Sequence, residues 1–119
     1  MAEKVNLAEK LAAIDDRWHP RIVAQYNDSK VMVVKVEGDF EWHHHASTDD
    51  FFLVLSGQLT IDLPDGGVDL GPGELFVVPA GVEHRPRAHG VVELLLIEPL
   101  GTPNTGDLAP GAAAPEQWA

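Results

Sequence analysis

The chain has 119 residues, 45% hydrophobic and 23% charged, a composition that fits one globular domain with a single core and excludes wholesale disorder. Eight basic against nineteen acidic side chains give a formal charge of −11, which opposes binding to nucleic acid or to an anionic membrane, since both are polyanions. Cysteine is absent, so disulfides and thiolate metal ligands are unavailable; the N-terminus "MAEK" begins no signal peptide, the most apolar run (91–97) is broken by Glu93 and too short for a bilayer, and a cytoplasmic protein is expected.

Apolar residues at Leu7, Leu11 and Ile14 predict a short amphipathic helix over 6–14. His19-Pro20 ends any helix, because proline disfavours helical geometry in the residue before it. From Ile22 the pattern turns to strands, expected at 21–25, 31–36, 51–55, 59–63, 75–78 and 91–97, each rich in aliphatic, aromatic or β-branched residues. Asn27-Asp28, Glu37-Gly38-Asp39, Ser56-Gly57, Pro64-Asp65-Gly66-Gly67, Gly71-Pro72-Gly73 and Ala80-Gly81 read as the intervening turns. Many short strands with no long helix between them make an all-β sandwich or barrel. The expected organisation is an N-terminal helical arm (1–20), a β-barrel (21–100) and a C-terminal arm (101–119), loosely ordered or packed on another surface, with Leu108 and Trp118 as its only bulky apolar residues.

The stretch "GDFEWHHHASTDDFFLVLSG" (38–57) carries the first chemical signal. Side chains alternate along a strand, so His43 and His45 share one face while His44 points away. Two imidazoles on one face can converge on a metal ion, or form a hydrogen-bonded pair in the core. Asp50 leads the next apolar run with the parity of Phe52 and Val54, and a carboxylate there is costly to bury unless a cation compensates it. In the second half, "GPGELFVVPAGVEHRP" runs through an apolar strand and a turn at Gly81 to His84, which alone would pass for an ordinary satisfied histidine and beside the first cluster becomes a third ligand.

Gly38, His43, His45, Asp50 and Gly57 resemble the first motif of the cupin superfamily, G-x5-H-x-H-x(3,4)-E-x6-G, and Gly73, Pro79, Gly81 and His84 resemble the second, G-x5-P-x-G-x2-H-x3-N. The resemblance covers about 21–100 and is nearest to the small single-domain bacterial cupins called phosphomannose-isomerase-like, down to "NTGD" at 104–107. It implies an all-β cupin-type double-stranded β-helix, a jelly-roll barrel, with a short N-terminal helix. It also implies a homodimer that packs sheet faces and exchanges N-terminal strands. Three positions depart from the motifs. Gly38 lies one residue nearer the histidines, Asp50 replaces the glutamate, and Ala88 replaces the terminal asparagine, with His89 beside it on the other parity. The implied ligands are therefore His43, His45 and His84, with Asp50 as a fourth, directly or through a water, and Asp49 as its competitor.

Neutral imidazoles suit Fe, Mn, Ni, Zn or Cu, and three of them facing one side leave coordination positions open for a substrate. The expected function is a divalent-metal-dependent enzyme of isomerase, lyase or oxygenase type acting on a small oxygenated molecule such as a sugar derivative or oxo-acid. The alternatives are a non-catalytic metal- or ligand-binding module (sensor or carrier) and a metal-free barrel with structural histidines. Asp50, if it does not ligate, is a candidate general base or a partner that orients a ligand. Phe40 and Trp42 are read as packing residues, Glu83, Arg85 and Arg87 as surface or interface charges, Glu41 as a solvated strand end and His19 as a surface residue. Phe52, Val54, Leu59, Ile61, Phe76 and Val78 are assigned to the core.

Overall fold

The computed structural model describes residues 2–101 and 117–119. Helix α1 (Leu7–Ala12) is shorter than the 6–14 of the apolar spacing because Asn6 serves as its cap, accepting a hydrogen bond from the Glu9 amide at 3.1 Å, and Ala13 already closes its other end. Leu11 and Ile14 are buried with Val23 and Val33, which seats the helix on the sheet.

Six strands follow: β1 (Arg21–Tyr26), β2 (Ser29–Asp39), β3 (Asp50–Leu63), β4 (Gly66–Leu70), β5 (Leu75–Val78) and β6 (Arg85–Pro99). They pair antiparallel in the order β1-β2-β6-β3-β4, with β5 on β3. Asn27, in the left-handed region at φ 52°, turns β1 into β2, a conformation asparagine tolerates better than most residues.

The strands run longer than expected where glycines read as turns are bulges instead. Ser56-Gly57 is no turn: 51–55 and 59–63 belong to one strand, β3, whose pairing with β6 shifts register on either side of Ser56. Gly57 sits at φ 91°, and a β-carbon there would stand 2.8 Å from the Val91 carbonyl oxygen and 2.9 Å from Val92 Cγ2, so only glycine lets β3 and β6 cross so closely. Gly38 likewise lies inside β2, at a register shift against β6, rather than in a turn. The expected 91–97 strand extends back to Arg85 because that half of β6 pairs with the second half of β3. β4 was not foreseen, since only Val68 and Leu70 supply apolar alternation after the Pro64–Gly67 turn.

One cluster fills the interior, drawing on β1 through Ile22 and on every later strand, with Val54, Ile61 and Val92 wholly buried. Each such side chain contributes about 1.5–3 kcal/mol on leaving water. Phe52, Val54, Leu59, Ile61 and Val78 belong to this core, and Phe76 packs against it half-buried. Residues 117–119 lie along the free edge of β1: the Ile22 amide donates to the Gln117 carbonyl at 2.7 Å and the Ala119 amide to the Ile22 carbonyl at 2.9 Å, covering backbone groups that an edge strand otherwise exposes. Trp118 itself stays exposed, and the "NTGD" segment and Leu108 fall outside the described residues. Among the described residues no helix is long and apolar enough to cross a membrane.

Candidate metal centre

His43, His45 and His84 do not sit in regular strands. His43 and His84 form an isolated two-residue bridge, each amide donating to the other's carbonyl, at 3.0 and 2.9 Å. The Gly81 amide donates to the His45 carbonyl at 2.7 Å, tying the turn before His84 to the first histidine segment. Asp50 is the first residue of β3, opposite Val78, the last residue of β5. Two chain segments far apart in sequence are thus clamped by backbone bonds before any side chain contributes.

The four side chains are nearly withdrawn from solvent, His43 at 4%, His45 and Asp50 at 6% and His84 at 1% exposure. His43 Nδ1 lies 2.9 Å from the Glu41 carbonyl and His84 Nδ1 2.9 Å from the Val82 carbonyl. A carbonyl only accepts, so both Nδ1 atoms carry the proton, and in the neutral rings the Nε2 lone pairs point inward. These converge on one carboxylate oxygen: Asp50 Oδ2 is 2.8 Å from His84 Nε2, 3.3 Å from His45 Nε2 and 3.9 Å from His43 Nε2. One ligand atom from each of the four residues lies within 4.8 Å of the others, a group that could hold a metal ion. Acceptors aimed at one another in a dry site repel unless a cation stands among them, and separations of 2.8 to 3.9 Å from Asp50 Oδ2 are those of ligand atoms about 2.1 Å from a shared ion. The residues present therefore fit a divalent ion.

The electrostatics agree. Burial holds His43 below the ordinary histidine value, so it is neutral and its Nε2 lone pair is available to an ion. Burial alone would raise Asp50, but its contacts with the His45 and His84 rings outweigh it and hold the carboxyl below its ordinary value, hence anionic.

A cavity of about 450 Å³, counted to its open mouth, is lined by His43 and Asp50 together with Trp18, Phe40, Phe52 and Glu98 among others. Phe40 is a correction to its reading as packing residue on the side away from His43. Its ring meets the His43 ring edge-on at 5.3 Å and stacks on Trp18 at 4.8 Å, because the chain leaves strand geometry after Asp39 and simple alternation no longer applies. Trp42 does face outward, with the Arg85 guanidinium 5.5 Å from its ring.

The remaining expectations sort themselves around the rim. His44 points away from His43 and His45, toward Glu83 at 3.6 Å. Asp49 does not compete with Asp50, since its carboxylate accepts from the Ala80 amide at 2.9 Å. Arg85 and Arg87 both bind Asp62, at 2.8 and 2.6 Å, and Glu41 is exposed and acts through its carbonyl. His89, exposed, reaches Thr60 at 2.8 Å rather than the site. His19 lies at the surface, half-buried, with its Nδ1 3.2 Å from Asp16. Trp18 and Glu98 were missed as cavity residues. Trp18 lies at φ 61° in a linker and gives no periodic signal, whereas Glu98 has the inward parity of Val92, Leu94 and Leu96 and could have been found by it.

Residues 30–98 match the Cupin domain family. The chain belongs to the cupins. A cupin-2 domain containing protein from Shewanella frigidimarina superposes with a TM-score of 0.79 at 42% identity, over 80% of this chain and 93% of that one. The uncharacterized protein YdbB of Bacillus subtilis is 34% identical over 90 residues, 75% of this chain and 80% of its own length. Quercetin 2,3-dioxygenase of the same organism is 32% identical over 111 residues, covering 80% of this chain but only 33% of that protein. The all-β architecture with one short helix is thus a cupin β-barrel, as the sequence motifs imply.

Proposed function

We propose that this cupin is a divalent-metal-dependent enzyme acting on a small oxygenated molecule, with His43, His45, His84 and Asp50 as the ligands of Fe, Mn, Ni, Zn or Cu. The observation that carries the reading is the convergence of three imidazole Nε2 atoms and one carboxylate oxygen, within 4.8 Å of one another, beside an open cavity of about 450 Å³. A closed structural site would not need that cavity. Of the reaction types such ligands permit, an oxygenase has the support of a relative named as a dioxygenase.

The bound ion supplies Lewis acidity toward a substrate oxygen. The chain does the rest. The Glu41 and Val82 carbonyls fix the tautomers of His43 and His84, so their Nε2 atoms are ligands without a proton to lose. Asp50 brings the negative charge that partly offsets a divalent cation. Trp18, Phe40 and Phe52 wall the cavity and keep water from the reacting group.

The same reading takes a homodimer. The outward face of β5 and β3 pairs Phe51 with Val77 and Leu53 with Leu75, and Leu75 and Val77 are 54% and 37% exposed. A contiguous apolar sheet face of this kind is best covered by a second copy. A monomer in sedimentation at micromolar concentration would overturn that part.

The test of the site is metal content by mass spectrometry on tag-free protein, beside His43→Ala and His84→Ala variants whose fold is checked by circular dichroism. Stoichiometric metal lost in both folded variants is expected. Protein that takes up none of Fe, Mn, Ni, Cu or Zn overturns the reading, and metal uptake without turnover on any oxygenated substrate leaves a binding module.

A further inference from the structure

Among the described residues, two other than glycine stand in the left-handed region: Asn27, in a turn, and Trp18, at φ 61°. Asparagine takes that conformation readily, whereas a bulky residue keeps it only where its surroundings hold it there, and positions of this kind gather at functional sites. The surroundings of Trp18 do hold it. Its amide donates to the Lys35 carbonyl and its indole N–H to the Glu37 carbonyl, both at 2.9 Å and both on β2. Beside it Arg17 pairs with Glu37 at 3.3 Å and Arg21 with Asp16 at 2.9 Å, so the linker before β1 is tied to β2 and to itself. With both N–H groups spent on β2, the half-buried indole offers the cavity an apolar ring. That ring stacks on Phe40 at 4.8 Å, and Phe40 meets His43 edge-on at 5.3 Å, so a row of rings leads from the linker to a candidate metal ligand. Trp18 and Pro20 line this cavity from outside residues 30–98, the part of the chain that matches the Cupin domain family.

We propose that Trp18 is a specificity-determining residue: the linker before β1 holds its indole as a fixed platform that selects ligands with a planar, unsaturated ring over saturated ligands of the same size and headgroup. Burial of apolar area favours a flat and a puckered ring alike, but only the flat one adds stacked or edge-on contact with the aromatic wall. The platform is in place before a ligand arrives, so little ordering cost is set against that contact. The inference rests on the metal-dependent reading in taking this cavity as the ligand's place. It adds a preference that an ion alone would not produce, because an ion meets the headgroup and not the ring.

The test titrates benzyl alcohol and cyclohexylmethanol, neutral ligands with one headgroup, into zinc-loaded and zinc-free protein. NMR follows the indole N–H resonances, and zinc stoichiometry is measured on the same samples. The chain has three tryptophans, and the resonance missing from Trp18→Leu or Trp18→Phe assigns Trp18. Benzyl alcohol is expected to bind at least about threefold tighter than cyclohexylmethanol and to shift the Trp18 resonance, while those of Trp42 and Trp118, which line no part of this cavity, stay in place. Trp18→Leu should bring the ratio of the two affinities close to one, and Trp18→Phe, which keeps a ring, should preserve the preference. A residue whose role was only structural would weaken both ligands alike in Trp18→Leu and leave the ratio unchanged. That result, a wild-type ratio near one, no binding of benzyl alcohol, or an unmoved Trp18 resonance overturns the proposal. Should Trp18→Leu fail to fold by circular dichroism, the wild-type ratio, the Trp18 resonance and Trp18→Phe decide. Protein that takes up no zinc refutes the metal reading, and the ratio in zinc-free protein still judges Trp18.

Discussion

Asp50→Asn separates a metal site from a merely hydrogen-bonded cluster because the two predict opposite signs. The substitution keeps the shape of the side chain and removes its charge. In the metal-free protein Asp50 Oδ2 faces His84 Nε2 at 2.8 Å and His45 Nε2 at 3.3 Å, and the Nδ1 protons of His43 and His84 are committed to carbonyls. An amide NH2 in that place donates to the inward lone pairs, so the metal-free variant is expected to be at least as stable as wild type near pH 8. Metal affinity should fall by about a hundredfold, or about 2.8 kcal/mol, since an anionic ligand has become a weak neutral one. With metal at about a thousand times the wild-type Kd, the wild-type gain is about 4.1 kcal/mol and the variant's about 1.4 kcal/mol. At about 4 °C per kcal/mol for a chain of this size, thermal shifts on adding metal should be about 16 °C and 6 °C respectively. Differential scanning fluorimetry with and without zinc reads both. A metal-free variant destabilised by more than about 1.5 kcal/mol, with an unchanged metal shift, would show that Asp50 bonds protonated histidines and holds no ion.

Gly57→Ala should cost about 3 kcal/mol and lower Tm by about 10 °C or more in a thermal melt, since it combines a positive φ with a β-carbon 2.8 Å from the Val91 carbonyl; a loss under about 1 kcal/mol would mean that β3 and β6 can separate there. Because burial lowers His43, the unfolded chain takes up its proton first as pH falls, so the metal-free protein should lose stability on going below the ordinary value of 6.5, by at most about 1.4 kcal/mol per pH unit. Urea melts between pH 8 and 5 should show this slope in wild type and less of it in His43→Gln, and equal slopes would refute the assignment. Leu75→Asp, on the exposed face of β5, should convert a dimer to a monomer in sedimentation while leaving the circular dichroism spectrum unchanged, and a persistent dimer would place the interface elsewhere.

What was legible in the sequence followed from alternation, and what was not followed from its interruption. The parity of Asp50, Phe52 and Val54 was readable because β3 is regular there, and all three are buried. His43 and His45 share a face even though the segment is not a strand, since an extended chain alternates whether or not it is paired. Glycines at 38 and 57 misled because glycine marks turn and bulge alike, and only the partner strand, absent from a one-dimensional reading, distinguishes them. Phe40 and Trp18 were misplaced or missed because their positions depend on the irregular path between Asp39 and His43 and on a left-handed tryptophan, neither of which has a periodic signature.

The substitution of aspartate for the motif's glutamate raised the question of reach, and the backbone geometry bears on it. His43 and His84 use one device twice: each donates Nδ1–H to the carbonyl two residues earlier, and each is held by the other's main chain. The imidazoles are therefore fixed in both position and tautomer by peptide groups that mutation of side chains does not move. Asp50 starts β3, and its pairing with Val78 sets its Cα close enough that a short side chain brings Oδ2 within 2.8 Å of His84 Nε2. A longer carboxylate is not needed there, because the strand origin rather than the side-chain length sets the distance. Preorganisation of this kind is what a metal site requires of its protein: the carbonyls that hold Nδ1 of His43 and His84 leave the inward Nε2 atoms of the neutral rings for an ion.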